Sequence, residues 1–248
     1  MDFAAALLEE NRLLVELVGG ADLDTPVPTC PGWTVRQLVT HVGRGDRWAA
    51  TIVRDQAQAP VDMRTVADGK PPTDPSEWLT ASPRTLLDAV GSVGAGASVW
   101  TFTGPRPASW WVRRRLHESS VHRADAATAL GAPWTVRPEV AADGVSDWLS
   151  LLTARPAAAD TAPLAPGTTL HLHATDDGLG AAGEWMVRVE ADGALAWEHG
   201  HGKGTVAVRG SAADLLLAVL RRIPAEDARL QVHGDAAAFG TWLERTAF

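Results

Sequence analysis

The chain has 248 residues, 46% of them hydrophobic and 21% charged, which is enough apolar material for a buried core and excludes a disordered chain. A formal net charge of -8 argues against nucleic-acid or anionic-membrane partners, because both are held by a positive field. No apolar run reaches the roughly 18 residues of a membrane span, and the acidic N-terminal stretch lacks the basic start of a signal peptide, so a cytoplasmic protein is expected. Residues 2–18 repeat apolar positions at helical spacing (Phe3, Leu7, Leu14, Val18) and stop at Gly19 and Gly20. A proline-rich connection leads to Thr34, whose hydroxyl can cap a second helix from Val35 to about Asp55 while Gln37 completes a capping box. "TDPSEW" repeats the pattern, with Asp74 as cap and Pro75 at the first helical position. The helix it opens carries a possible break at Ser82-Pro83 and ends among the glycines at 91–96. A fourth helix follows Pro107 and stops at Gly131, and a shorter fifth covers Pro138 to Ala154.

The composition then changes. "ARPAAADTAPLAPG" has no helical or strand period and reads as a linker. Alternating runs at 168–175, 184–190, 193–199 and 204–210 predict strands, and "ARLQVHG" one more, flanked by amphipathic helices at 212–222 and 236–246. The expected architecture is α followed by α+β: a helical bundle over 1–155, a linker over 156–167 and a small α+β domain over 168–248.

Two helices carry chemistry on faces that should be apolar. On the second, Leu38, His41, Val42, Gly45, Trp48 and Ile52 fall at three- and four-residue steps, placing His41 in or beside the buried stripe. On the fourth, Trp111, Arg114, Glu118, His122, Asp125 and Ala129 form a stripe with a polar centre. Glu118 and His122 lie one turn apart and project side by side, and His41 from a facing helix would complete two imidazoles and a carboxylate, a set that catalytic zinc accepts with a fourth position open. Asp125, one turn beyond His122, can fix its ring. Spacing alone leaves other readings open. His41 taken singly fits a satisfied core histidine, and Glu118 with His122 fits a surface pair. Cys30 is the one cysteine, so no internal disulfide or thiolate-rich site can form, and thiol chemistry would need an external thiol. Cys30 itself, between Thr29 and Pro31, reads as a packed turn residue. A second metal group from His171, His173, His199 and His201 lacks a carboxylate at a supporting spacing and reads as substrate contact or surface. "GHGKG" at 200–204 lacks the strand-to-helix setting of a phosphate loop.

"CPGWTVRQLVTHVGR" and "RRRLHESSVHRADAA" resemble the mycothiol-dependent maleylpyruvate isomerase family, and "LHLHATD", "VRGSAADLLLAVLRR" and "VHGDAAAFGTWLE" look like its second domain. The resemblance implies a DinB-like four-helix bundle that binds metal, followed by the small α+β domain. It also implies that His41, Glu118 and His122 are the zinc ligands, and that mycothiol or a similar small thiol is the cosubstrate. A metal with an open position lowers a thiol's pKa from about 8.5 and so supplies the thiolate. In the implied reaction this thiolate adds to the double bond of a carboxylate-bearing electrophile, rotation follows, and elimination gives the trans isomer. Arg114 and Arg44, one turn from Glu118 and His41, are candidates to hold the substrate carboxylates, or else pair with acids such as Glu118 or Asp46. Arg221 and Arg222 are weaker candidates. The same thiolate could serve a thiol S-transferase acting on toxins or biosynthetic intermediates, and a non-catalytic metal- or ligand-binding protein is a third reading. Oligomeric state is not legible.

Overall fold

Hydrogen bonds at the helix ends place the first helices where the residues indicate. In the computed structural model, which describes residues 1–155, 162–190 and 192–246, α1 spans Phe3–Val18 and starts with the Asp2 carboxylate accepting the Ala5 amide. Helix α2, Val35–Arg54, opens on the capping box: the Thr34 hydroxyl accepts from the Gln37 amide, and the Gln37 side chain accepts from the Thr34 amide. Helix α3, Ser76–Val93, starts one residue later than expected, with Pro75 rather than Asp74 at the cap position, while Asp74 accepts from both the amide and the hydroxyl of Ser76. It runs unbroken through Pro83. Proline cannot serve the carbonyl four residues back, but here the Ser82 hydroxyl lies 2.8 Å from that Leu79 oxygen and 2.9 Å from Asp46 Oδ2, so its one proton is shared between the two acceptors. Helix α4, Ser109–Leu130, ends at Gly131 in the left-handed region, where a side chain would be strained. Two two-residue strands, β1 (Ser98–Val99) and β2 (Arg106–Pro107), pair antiparallel before α4 and are too short to show alternation in the sequence.

These helices form the first of two compact units, Met1–Trp134. Helix α1 packs on α4 and α3, and α2 packs on α3 and α4. Leu14 and Val18 of α1, Leu38, Val39 and Val42 of α2, and Trp78 and Leu79 of α3 share one buried cluster with Ala126 of α4. Burial of such side chains stabilises the bundle by about 1.5–3 kcal/mol each. Close approach is set by glycine. A Cβ at Gly43 would lie 2.2 Å from the Trp78 ring, and one at Gly45 would lie 2.6 Å from the Arg115 guanidinium. Polar residues of α4 are buried with partners rather than exposed: Arg123 forks onto Glu10 of α1 at 2.9 and 3.2 Å.

The second unit, Thr135–Phe248, holds α5 (Pro138–Thr153), a five-stranded sheet, α6 (Ala212–Val219) and α7 (Ala236–Arg245). The strands are β3 (Thr169–Ala174), β4 (Glu184–Val189), β5 (Leu195–His199), β6 (Val206–Gly210) and β7 (Gln231–Gly234), in the order β5-β4-β3-β6-β7. Only β3 and β6 run parallel. Helix α6 packs on β3 and β6, and α5 packs on α6 and β5. The boundary expected at 155 therefore differs from the division at Trp134, because the apolar stripe of α5, with Val145, Trp148, Leu149 and Leu152, is buried within the sheet unit. A hydrogen bond of 2.9 Å from the Trp185 indole to the Ser146 hydroxyl ties α5 to β4. Of the expected linker, residues 156–161 lie outside the described residues. Ala162 and Leu164 are buried, and the Ala162 carbonyl accepts from Arg245 at 2.8 Å, so this part packs within the second unit. Among the described residues no helix is long and apolar enough to cross a membrane.

Candidate metal centre

The capping box fixes the start of α2, and burial of Leu38, Val39 and Val42 against the neighbouring helices sets its rotation, which turns His41 toward α4. There, His41, Glu118 and His122 each offer one donor atom, and the three atoms lie within 4.8 Å of one another. Glu118 Oε2 is 3.4 Å from His41 Nε2 and 3.6 Å from His122 Nε2. Donors about 2.0 Å from a tetrahedral zinc sit about 3.3 Å apart, close to the two separations from Glu118. The His41 and His122 rings meet edge to face at 4.9 Å, and the Trp33 ring covers both, with centroids 5.0 and 6.1 Å away. Trp33 closes one side of the group to water.

The other nitrogen of His122 is held. Nδ1 lies 2.9 Å from Asp125 Oδ2, and because an ionised carboxylate only accepts, Nδ1 carries a proton; Nε2 faces the Glu118 carboxylate at 3.6 Å and carries the second proton of the imidazolium, the one a metal ion would replace. Asp125 is fully buried and is satisfied by two further donors from the turn before α2, the Thr29 hydroxyl at 2.6 Å and the Cys30 thiol at 3.4 Å. Cys30 is thus a turn residue that also braces the carboxylate behind His122. Asp125→Asn should weaken divalent-metal binding by about 10–100-fold, because the ring loses its anionic partner. Competitive titration with a chromophoric chelator checks this, and an unchanged affinity would remove Asp125 from any orienting role.

The electrostatics favour a cation in this group. Burial alone would raise the Glu118 carboxyl, yet Arg114, hydrogen bonds with His122 and His41, and Arg115 together hold it well below the usual carboxylate range. His122 is pushed up to about 10: burial opposes the charge, but hydrogen bonds with Asp125, Cys30 and Glu118 outweigh it. His41 goes the other way, lowered by burial against the pull of Glu118.

The two arginines singled out in the sequence have different surroundings. Arg114 is buried and pairs with Glu118 Oε1 one turn along α4. Arg44 donates from Nε to the Gly69 carbonyl at 2.7 Å, and no hydrogen bond or ion pair links it to the three donors among the described residues. Arg221 and Arg222 follow α6 in the second unit; Arg221 has a φ of 59°, and Arg222 donates to the Leu220 carbonyl at 2.8 Å. Arg115 is a residue the sequence reading passed over. Its Nε donates to the buried Asp46 at 2.8 Å, its Nη2 donates to the Val42 carbonyl at 3.0 Å, and its Nη1 lies 3.7 Å from Glu118 Oε2. The signal for it was the pairing of opposite charges at inward positions of α2 and α4.

Both units match one family along the sequence. The domain described as Mycothiol maleylpyruvate isomerase N-terminal domain matches residues 4–127, and that described as MDMPI C-terminal domain matches residues 139–241. The chain belongs to the mycothiol maleylpyruvate isomerase family. All three donors and Asp125 fall inside the N-terminal match. Among solved structures, the crystal structure of the mycothiol-dependent maleylpyruvate isomerase is similar over 93% of this chain and 90% of that chain, with a TM-score of 0.53 and 17% identity. A mutant of that isomerase is similar over the same shares at a TM-score of 0.47 and 17% identity. No curated protein matches the chain. Membership of an isomerase family marks the chain as an enzyme, and the solved isomerase shares its fold over most of both chains.

Proposed function

We propose that the chain is a thiol-dependent isomerase that holds a divalent metal ion, most simply zinc, on His41, Glu118 and His122 and uses mycothiol as its cosubstrate. The observation that carries this reading is the convergence of three donors from α2 and α4, with Asp125 pinning the tautomer of His122. Three neutral or anionic donors leave a zinc-type ion one further position, and such an ion stabilises the thiolate form of a thiol at neutral pH.

The chain's own residues supply the rest. Asp125 holds a His122 proton on Nδ1, so the proton a metal ion would displace is the one on Nε2. Trp33 excludes water from one side of the two imidazoles. Arg115 anchors α4 to α2 through Asp46 and so keeps Glu118 facing His41. Arg114, on the same stripe as Glu118, and Arg44, one turn along α2 from His41, are assigned to the carboxylates of a doubly acidic substrate. Arg44→Gln and Arg114→Gln should each raise KM by about 10–100-fold, as expected for loss of a charge-assisted contact, with metal content unchanged in Arg44→Gln, whose side chain does not touch the three donors. Unaltered KM in both variants would take the anion site away from these two residues.

The deciding experiment follows the cis-trans isomerisation of maleylpyruvate with and without added mycothiol, using protein freed of small molecules. Activity should require the thiol, and Cys30→Ser should stay within about twofold of wild type, since serine keeps a donor for Asp125 and no thiol of the chain is consumed. Full activity without added thiol, lost in Cys30→Ser, would overturn the reading and make Cys30 the nucleophile. A stable thiol adduct in place of the trans isomer would point instead to an S-transferase.

A further inference from the structure

The sheet unit brings together a second group of donors, on the face of β3 opposite its core side. Leu170 and Leu172 point into the core, so strand alternation sends His171 and His173 to the other face. Register then adds a carboxylate. Glu184 is the direct cross-strand partner of His173, and its Oε2 lies 2.8 Å from His171 Nε2 and 3.4 Å from His173 Nδ1. His201, in the loop after β5, brings Nδ1 to 2.7 Å from the same oxygen. His199 is not part of the group: it pairs in register with Trp185, on the core face. The four donor atoms of His171, His173, Glu184 and His201 lie within 4.8 Å of one another.

Hydrogen bonding alone accounts poorly for this arrangement. Three imidazole nitrogens converge on one carboxylate oxygen, which has about two lone-pair directions to offer. Two of them reach hydrogen-bond distance and His173, at 3.4 Å, has no direction left for it. A cation among the four would take a lone pair from each instead. The loop that delivers His201 is also shaped for close approach: a Cβ at Gly202 would lie 3.2 Å from Met186 Sδ, and one at Gly204 would lie 2.6 Å from the Val206 carbonyl and 3.0 Å from the His171 amide. Gly202 and Gly204 thus let the loop approach β4 and β3 closely because they have no side chains.

We propose that His171, His173, Glu184 and His201 form a second metal site, for a divalent transition-metal ion of the zinc type, in the sheet unit. Three imidazoles and a carboxylate suit zinc and its neighbours rather than calcium or magnesium, which take oxygen ligands. Four protein donors fill a tetrahedral shell, so the site is structural. It clamps the 200–204 loop to the sheet and does not expose an open position for chemistry. His171 is buried while the His201 side chain is 75% exposed, so the ion enters from the loop side.

Zinc binding to the full chain tests this by comparing wild type with His201→Ala and Glu184→Gln. The first change is at an exposed side chain and the second keeps the side-chain shape, so both variants should fold, which far-ultraviolet circular dichroism verifies. Titration with zinc chloride against a competing chelator should find one more tightly bound ion in wild type than in either variant, with affinity at the lost site lowered at least ~10-fold. The difference is read between proteins with an identical bundle, so it does not depend on what His41, Glu118 and His122 bind. Equal zinc content and affinity in wild type and in either variant would overturn the proposal.

Discussion

His122→Ala should hold one divalent ion fewer than wild type and lose thiol-dependent turnover by about three orders of magnitude, the scale of the several kcal/mol that a catalytic ion contributes. Two donors, His41 and Glu118, would remain of three, and a two-ligand site binds zinc-type ions poorly. The substitution also removes the His122 partner of Asp125 while the Thr29 and Cys30 donors stay in place, so the buried carboxylate is not left bare. Glu118→Gln provides an independent check, since it keeps the volume and removes the anionic ligand. Elemental analysis of both variants beside wild type reads the result, and counting the difference keeps any ion in the sheet unit out of the comparison. Full metal content in His122→Ala together with wild-type turnover would remove this group from the chemistry.

The second large effect is on stability. Asp46 is fully buried, and its partner Arg115 has a side chain only 6% exposed, so Asp46→Ala would leave the buried guanidinium without its closest counter-charge and with only the Glu118 carboxylate at 3.7 Å. Breaking such a pair from one side costs about 3–5 kcal/mol, which a urea unfolding midpoint resolves easily. The loss should be partly recovered by replacing both members with apolar residues of similar volume, because the double change removes the stranded charge. Burial raises the Asp46 carboxyl while the charge of Arg115, its hydrogen bond and that of Ser82 oppose the rise, so the ionised acid depends on that neighbour. A loss below about 1 kcal/mol would mean that Arg115 turns to Glu118, 3.7 Å away, and the same rearrangement would then show as weakened metal binding.

The sequence by itself determined the elements whose causes lie within a turn or two of chain. Thr34 with Gln37, Asp74 with Ser76 and Gly131 fix helix ends through hydrogen bonds spanning two or three residues or through backbone freedom, so they are visible as local patterns. The same holds for Glu118 and His122, which any helix places side by side, and for His171 and His173, which any strand sends to one face. Tertiary structure decided what depends on distant partners. Helix α5 sides with the sheet because its apolar stripe finds burial there. Arg115 meets Asp46 across 69 residues, and His41 meets Glu118 across 77. Glu184 joins the histidines of β3 only because the β3–β4 register sets it opposite His173, and a shift of one residue would turn it to the other face. Local hydrogen bonding and side-chain period are properties of a short segment, whereas register and helix packing are settled by the burial of the whole unit, and it is these that gather the donors into sites.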